Sequence, residues 1–200
     1  MKKTLPRKFY NRPTLAVARD LLGARLVYIS NGKKLVGFIV ETEAYIGEDD
    51  LACHAKAGRT KRTDPMYGEA GHAYIYFTYG NHWMLNAVTE EEGFPAAVLI
   101  RAIQPIEGVE LMMKRRKGRD TFGPGKLTQA MGITKRQNYA DLTEPTSPLR
   151  IEAGVKIPDK IVTITPRVGL NQTPEPWFSK PWRFLVNDWT ISKEEMALSD

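Results

Sequence analysis

Thiols are almost absent from this chain: Cys53 is the single cysteine in 200 residues. That excludes an intramolecular disulfide and a thiolate zinc cluster. No apolar run approaches the ~20 residues that cross a bilayer, so no membrane association is expected. The basic start has no apolar segment behind it of the kind a secretory leader carries. Internal repeats and low-complexity tracts are also missing. These absences point to a reducing, cytoplasmic setting. Acidic residues run short, with 23 Asp+Glu against 29 Lys+Arg and a formal charge of +6. Such an excess favours a polyanionic partner, because each cation placed near a phosphate releases condensed counterions. A basic protein without such a partner would have the same total. What is present is ordinary for a globular protein, 42% hydrophobic and 26% charged, and the length suits one domain spanning 1–200 with a sizeable core.

The chain is organised around Gly37-Phe38-Ile39-Val40-Glu41-Thr42-Glu43-Ala44-Tyr45. β-Branched and aromatic residues run into two carboxylates and a phenol, the pattern of a strand carrying ionisable groups out of a core. A period of two puts Ile39, Glu41, Glu43 and Tyr45 on one face and Phe38, Val40, Thr42 and Ala44 on the other. The spacing predicts a helix over Thr14–Leu22 stopped by Gly23. Strands follow over Arg25–Ser30 and Lys34–Tyr45, turned by Asn31-Gly32. The polar stretch Gly47–Gly71 reads as an ordered functional loop. Further strands are expected at 73–80, 82–89 and 96–102. Helices are expected over Pro105–Lys117 and Lys126–Met131, the second opened by Gly123-Pro124-Gly125 and closed by Gly132. Short strands at Ile161–Ile164 and Arg183–Val186 complete the tail. The fold class is α+β: one mixed domain, a curved and largely antiparallel sheet with helices packed outside it and a protruding hairpin.

Several residues carry chemistry, each beside a plainer reading. A bare Glu-x-Glu is most often a solvated edge, and periodicity does not choose between Glu41 and Glu43 as a general base. Tyr74 and Tyr76 share a face, and core packing is the preferred reading for Tyr74. Tyr79, at the turn before Gly80, is either an exposed tip aromatic or a wedge for a base stack. His54 gains interest from Glu43 and Tyr45 upstream. His72 and His82 match no metal-ligand spacing, so no metal or other cofactor is expected. Arg59-Thr60-Lys61-Arg62 and Lys114-Arg115-Arg116-Lys117 read by default as solvated surface. The Gly123-Pro124-Gly125-Lys126 turn is able to hold a phosphate, although it is also simply a helix start.

Taken in order, these segments resemble the alkyladenine (3-methyladenine) DNA glycosylases. The resemblance is carried by Glu41-Thr42-Glu43-Ala44-Tyr45, His54-Ala55 with Gly58-Arg59-Thr60, Tyr74-Ile75-Tyr76, Tyr79-Gly80 and Asn86. It continues through Val98-Leu99-Ile100-Arg101-Ala102, Gly123-Pro124-Gly125-Lys126-Leu127, Arg167-Val168-Gly169 and Lys180-Pro181-Trp182-Arg183-Phe184. It implies a monofunctional enzyme that releases alkylated or deaminated purines from double-stranded DNA, acting as a monomer, at the nucleoid of a bacterium or in a eukaryotic nucleus. Glu43 is then the general base, with Arg101 supporting it and its water. Tyr45, His54 and Tyr76 stack on the extruded base, and Asn86 lies at the pocket floor. Tyr79 is the wedge, and Lys126 and Arg59 contact DNA. A non-catalytic nucleic-acid-binding domain remains the alternative, and a metal-dependent hydrolase built on Glu43 and the histidines a weaker one.

Overall fold

The computed structural model describes residues 3–78 and 80–187. Tyr79, the expected wedge, lies outside the described residues. Among those described, eight strands form one strongly curled, half-barrel antiparallel sheet in a single α+β domain. They are β1 (Arg25–Ser30), β2 (Lys33–Ile46), β3 (Ala73–Thr78), β4 (His82–Val88), β5 (Ala96–Glu107), β6 (Leu149–Glu152), β7 (Val162–Thr165) and β8 (Arg183–Val186). The order β3-β4-β5-β2-β1-β6 runs across the sheet, while β8 pairs with both β2 and β7. No helix among the described residues is long and apolar enough to cross a membrane.

The β1–β2 hairpin turns at Asn31-Gly32, where both residues have positive φ, as a two-residue turn of this hand requires. Long β2 then serves three neighbours. Its first half pairs with β1, residues Glu41–Glu43 pair with β8 on that same edge, and β5 runs along the opposite edge.

The two faces of the sheet have separate cores. On one, Leu26, Leu35, Ile39, Ala44, Ile75, Leu85, Val98 and Ile100 are covered by three helices. These are α2 (Thr14–Asp20), α3 (Val109–Arg116) and α4 (Pro124–Met131); a single turn, α1 (Arg7–Tyr10), precedes them. Helix α4 sits so close to β4 that a Cβ on Gly125 would fall 2.7 Å from the His82 ring. The other face is covered by the 47–71 segment, ordered as expected through 3₁₀ turns at His54–Ala57 and Asp64–Tyr67. Here Cys53, Met66, Tyr67, Tyr74, Val88 and Ala97 form a smaller cluster, with Tyr45 and Tyr76 packed on it.

Three expectations need correction. Ile39 does not share a face with Glu41, Glu43 and Tyr45. The β2–β5 register skips Val40 on one strand and Arg101 on the other, and this bulge changes the alternation, so Ile39 joins Ala44 in the helix-covered core. The helix expected from Pro105 begins only at Val109. β5 runs on to Glu107 because Val36–Ile39 of β2 offers it a partner, and Pro105 is accommodated where the register shifts. Gly108, at φ 71°, makes the turn between the two, and a Cβ there would lie 2.4 Å from Leu35 Cδ2. The strand expected from Ile161 starts one residue later, after a 3₁₀ turn over Asp159–Ile161.

Candidate active site

Strand pairing places Tyr74, Asn86, Leu99, Glu43 and Arg183 in one transverse row across five neighbouring strands. Directly opposed residues project to the same side of a sheet, so four of these side chains, apart from Arg183, come together beneath a single cavity. That cavity encloses about 350 Å³, toward the small end of the ~300–1,000 Å³ range of small-ligand sites. Tyr45, His54, Tyr74, Tyr76, Asn86 and Arg101 line it, as do Cys53, Leu99, Pro124 and the Val168–Leu170 turn. Glu43 bonds directly to three of these lining residues, Tyr45, Arg101 and Val168.

The Glu43 side chain is 0% exposed. Its Oε1 accepts the Val168 N–H at 2.7 Å, and its Oε2 accepts the Tyr45 hydroxyl at 2.9 Å and Arg101 Nη1 at 3.1 Å. Burial raises the Glu43 pKa above the usual carboxylate range; Arg101, the Val168 amide and Tyr45 pull it back, and Glu41 adds to the rise. Glu41 is not a solvated acid. Its Oε1 accepts Arg101 Nε at 2.8 Å and Arg183 Nε at 2.6 Å, so charges alternate in a chain, Arg183–Glu41–Arg101–Glu43. Burial works against the Arg101 guanidinium, yet the two carboxylates outweigh it and raise its pKa. Skipped by the β-ladder, Arg101 is turned toward both acids from the middle of β5.

The aromatic wall is built from strand and loop together. Tyr74 and Tyr76 are two apart on β3, with ring centroids 5.3 Å apart. His54, from the first 3₁₀ turn, meets the Tyr76 ring edge-on at 4.4 Å, and its Nδ1 lies 3.0 Å from the Tyr74 hydroxyl. Tyr74 is thus both buried, at 2% exposure, and part of the pocket lining, where core packing alone was expected. Burial, with help from Arg62 and Lys56, pushes the His54 pKa down to about 4, which leaves its ring uncharged near neutrality. Burial also pushes the Cys53 thiol up to about 12, so it is a poor nucleophile. Asn86 is fixed by donating Nδ2 to Tyr74 O at 3.0 Å.

The two expected DNA contacts lie away from the cavity lining. Arg59 is exposed, with Nε 2.8 Å from Asp64 and its guanidinium over the Tyr67 ring. Lys126 is exposed near the start of α4 and pairs with Asp120 at 3.1 Å. Several site residues escaped the sequence reading. Val168 acts through its backbone, which a side-chain pattern does not reveal. Arg183 was marked only by its motif. Asp50 is wholly buried, yet nothing in Glu48-Asp49-Asp50 distinguishes it from its neighbours. Among the described residues no group of three or more His, Cys, Asp or Glu side chains is arranged to hold a metal ion.

Comparison with known proteins identifies the family. Residues 8–190 match the family model described as methylpurine-DNA glycosylase. A protein of Methanocella arvoryzae named "Putative 3-methyladenine DNA glycosylase" is 50% identical over 185 residues, covering 90% of each chain. One of the same name from Myxococcus xanthus is 47% identical over 184 residues, or 92% of this chain and 90% of its own. A family match across nearly the whole length, with relatives at this identity, leaves one assignment: the chain belongs to the methylpurine-DNA glycosylase family.

Proposed function

We propose that this glycosylase hydrolyses the N-glycosidic bond of alkylated or deaminated purines, of the 3-methyladenine, hypoxanthine or ethenoadenine type, after the nucleotide has rotated out of duplex DNA into the cavity. The observation that carries the reading is the buried Glu43 carboxylate, bonded to Tyr45 and Arg101 of an aromatic-lined pocket of one-base scale. Glu43 is the general base. It takes a proton from water as the water oxygen bonds to C1′, while the bond to the purine nitrogen breaks and the base leaves with that electron pair. The same carboxylate stabilises the positive charge that develops on the sugar. Arg101 holds Glu43 ionised and oriented.

Rotating a nucleotide out of the stack costs a few kcal/mol, and stacking on an aromatic wall returns ~1–3 kcal/mol per base. Tyr45, Tyr76 and the neutral His54 supply that wall, and electron-poor alkylated purines stack best on it. Asn86, clamped by Tyr74, faces the base edge and disfavours a purine with an exocyclic amino group at that position. Tyr79 is proposed as the wedge, from its place between Thr78 and Gly80 in the sequence alone. Lys126 and Arg59 exchange Asp120 and Asp64 for phosphates. A bifunctional mechanism needs an amine nucleophile, and the reactive groups described at the cavity are a carboxylate, phenols, an imidazole and a protonated thiol.

The test is incubation with duplex containing 3-methyladenine or hypoxanthine in EDTA, followed by alkali to cut abasic sites. The parent should give strand breaks. Glu43→Gln should lose about 10²–10⁴-fold in rate while still binding damaged duplex. An active Glu43→Gln protein removes Glu43 from the mechanism, and a borohydride-trapped protein–DNA adduct removes the monofunctional one.

A further inference from the structure

The catalytic assignment makes no use of the most deeply buried ion pair in the described structure, Arg167 with Asp50, in which both side chains are 0% exposed. Arg167 Nη1 donates to Asp50 Oδ2 at 2.5 Å and to Ala44 O at 2.9 Å. Its Nη2 donates to Asp50 Oδ1 at 2.9 Å and to Trp177 O at 3.3 Å. One guanidinium thus joins the start of the 47–71 segment, the β2 residue between Glu43 and Tyr45, and the chain leading into β8. Its central carbon lies 4.7 Å from the centroid of the Tyr45 ring. Its Nε is buried with no partner. A buried pair of this kind is often no more stabilising than apolar side chains of equal volume, and an unsatisfied donor adds further cost. Stability alone is therefore a weak reason for it to be here. Its position suggests a better one, because the next amide along the chain, Val168 N–H, is the donor to Glu43 Oε1.

We propose that Arg167 and Asp50 are positioning residues for base excision: the pair holds the Val168 amide on one oxygen of Glu43 and backs the Tyr45 ring whose hydroxyl holds the other. This rests on Glu43 being the general base. The charged and titratable groups around Glu43 are Glu41 and Tyr45 on its own strand, Arg101 from β5, Arg183 from β8 by way of Glu41, and Tyr76 from β3 through Tyr45. Of the bonds that favour its charged form, the one from Val168 comes from the segment that Arg167 anchors. If that amide withdraws, burial acts on Glu43 with less opposition and its pKa climbs further.

The experiment is single-turnover excision of 3-methyladenine from duplex DNA across pH, with parent, Arg167→Lys and the double variant Asp50→Asn/Arg167→Met. Lysine keeps the charge but cannot fork, and the double variant leaves no charge buried alone. Rates are expressed per folded molecule, from circular dichroism at the assay temperature. Both variants should show a maximal rate reduced by about 10–100-fold, the scale of a sub-ångström to ångström misplacement, with the acid limb of the profile moved to higher pH. An unmoved acid limb, or rates that recover fully once unfolded protein is discounted, overturns the positioning role and leaves the pair purely structural. Glu43→Gln run alongside separates the two levels. If it excises at the parent rate, the general-base reading fails and the positioning role falls with it. If it is inactive while both Arg167 variants keep the parent profile, only the positioning role fails.

Discussion

Glu43 is held in a compromise between burial and bonding, and the sign of that compromise is measurable. A carboxylic acid with a raised pKa is ionised only above the usual range, so kcat/KM for excision should fall on acidification along a limb lying above an unperturbed glutamate near 4.3. His54, pushed down to about 4, contributes no limb near 6.5, and His54→Gln should lower the rate without moving the acid limb; a shifted limb would make His54 a titrating partner. Stability follows the same linkage. A group whose folded pKa is raised stabilises the fold below its unfolded pKa, and that contribution is lost as pH rises through the folded value. Glu43→Gln should therefore melt no lower than the parent at pH 8, with the difference narrowing toward pH 5. A large fall in Tm at pH 8 would mean that Arg101 and Val168 outweigh burial. Glu41 holds two arginines rather than solvent, so Glu41→Gln should reduce the rate through Arg101, by less than Glu43→Gln but more than a surface change would.

At the scale of elements, the site depends on how β2 counts its residues. Alternation alone correctly placed Glu41, Glu43 and Tyr45 together, and Tyr74 with Tyr76, because a strand's period survives wherever pairing is regular. It misplaced Ile39 because a bulge is a property of two strands, and one strand's sequence does not contain it. Pro105 misled for a related reason: locally it suits a helix start, but the free edge of Val36–Ile39 claims the chain through Glu107. The Asn31-Gly32 turn and the Arg183–Val186 strand were legible because their signals are local. The Val168 amide and buried Asp50 were not, since each gains its role from a segment more than a hundred residues away in sequence. Removing the extra residue is the direct test. Deletion of Val40 removes the residue skipped on β2 while Arg101 stays skipped on β5, so the two strands no longer compensate and either Ile39 or the Glu41–Tyr45 set is driven onto the wrong face. Tm should fall by about 10 °C or more, consistent with losing several core contacts in a chain this size. A deletion that melts like the parent in circular dichroism would show the bulge to be dispensable.

For the whole molecule, the +6 charge sets affinity more than specificity. The exposed Lys126–Asp120 pair is weakly held and competes with any phosphate for the same ammonium. Lys126→Ala should lower the slope of log affinity against log salt by about one unit, with little change in lesion preference. Asp120→Asn should act oppositely, tightening binding to undamaged duplex. An unchanged slope in fluorescence titrations would place Lys126 away from DNA.

The three-sided pairing of β2 has one more consequence. Its amides are laddered to β5 on one edge and to β1 or β8 on the other, whereas the amides of the 47–71 wall bond mostly within turns and short loops. That segment is tied to the rest chiefly at its start, through Asp50 and Arg167, and at its end, through Tyr67 and Gly71. Hydrogen exchange should therefore divide the enzyme into two protection classes: amides beside Glu43 exchanging only through global opening, and those around His54 through cheaper local excursions. In mild urea, capacity to hold a damaged base should decline before the strand bearing the reactive carboxylate loosens. On the proposed mechanism, the chemistry then sits on the part expected to melt last and the selectivity on the part expected to melt first.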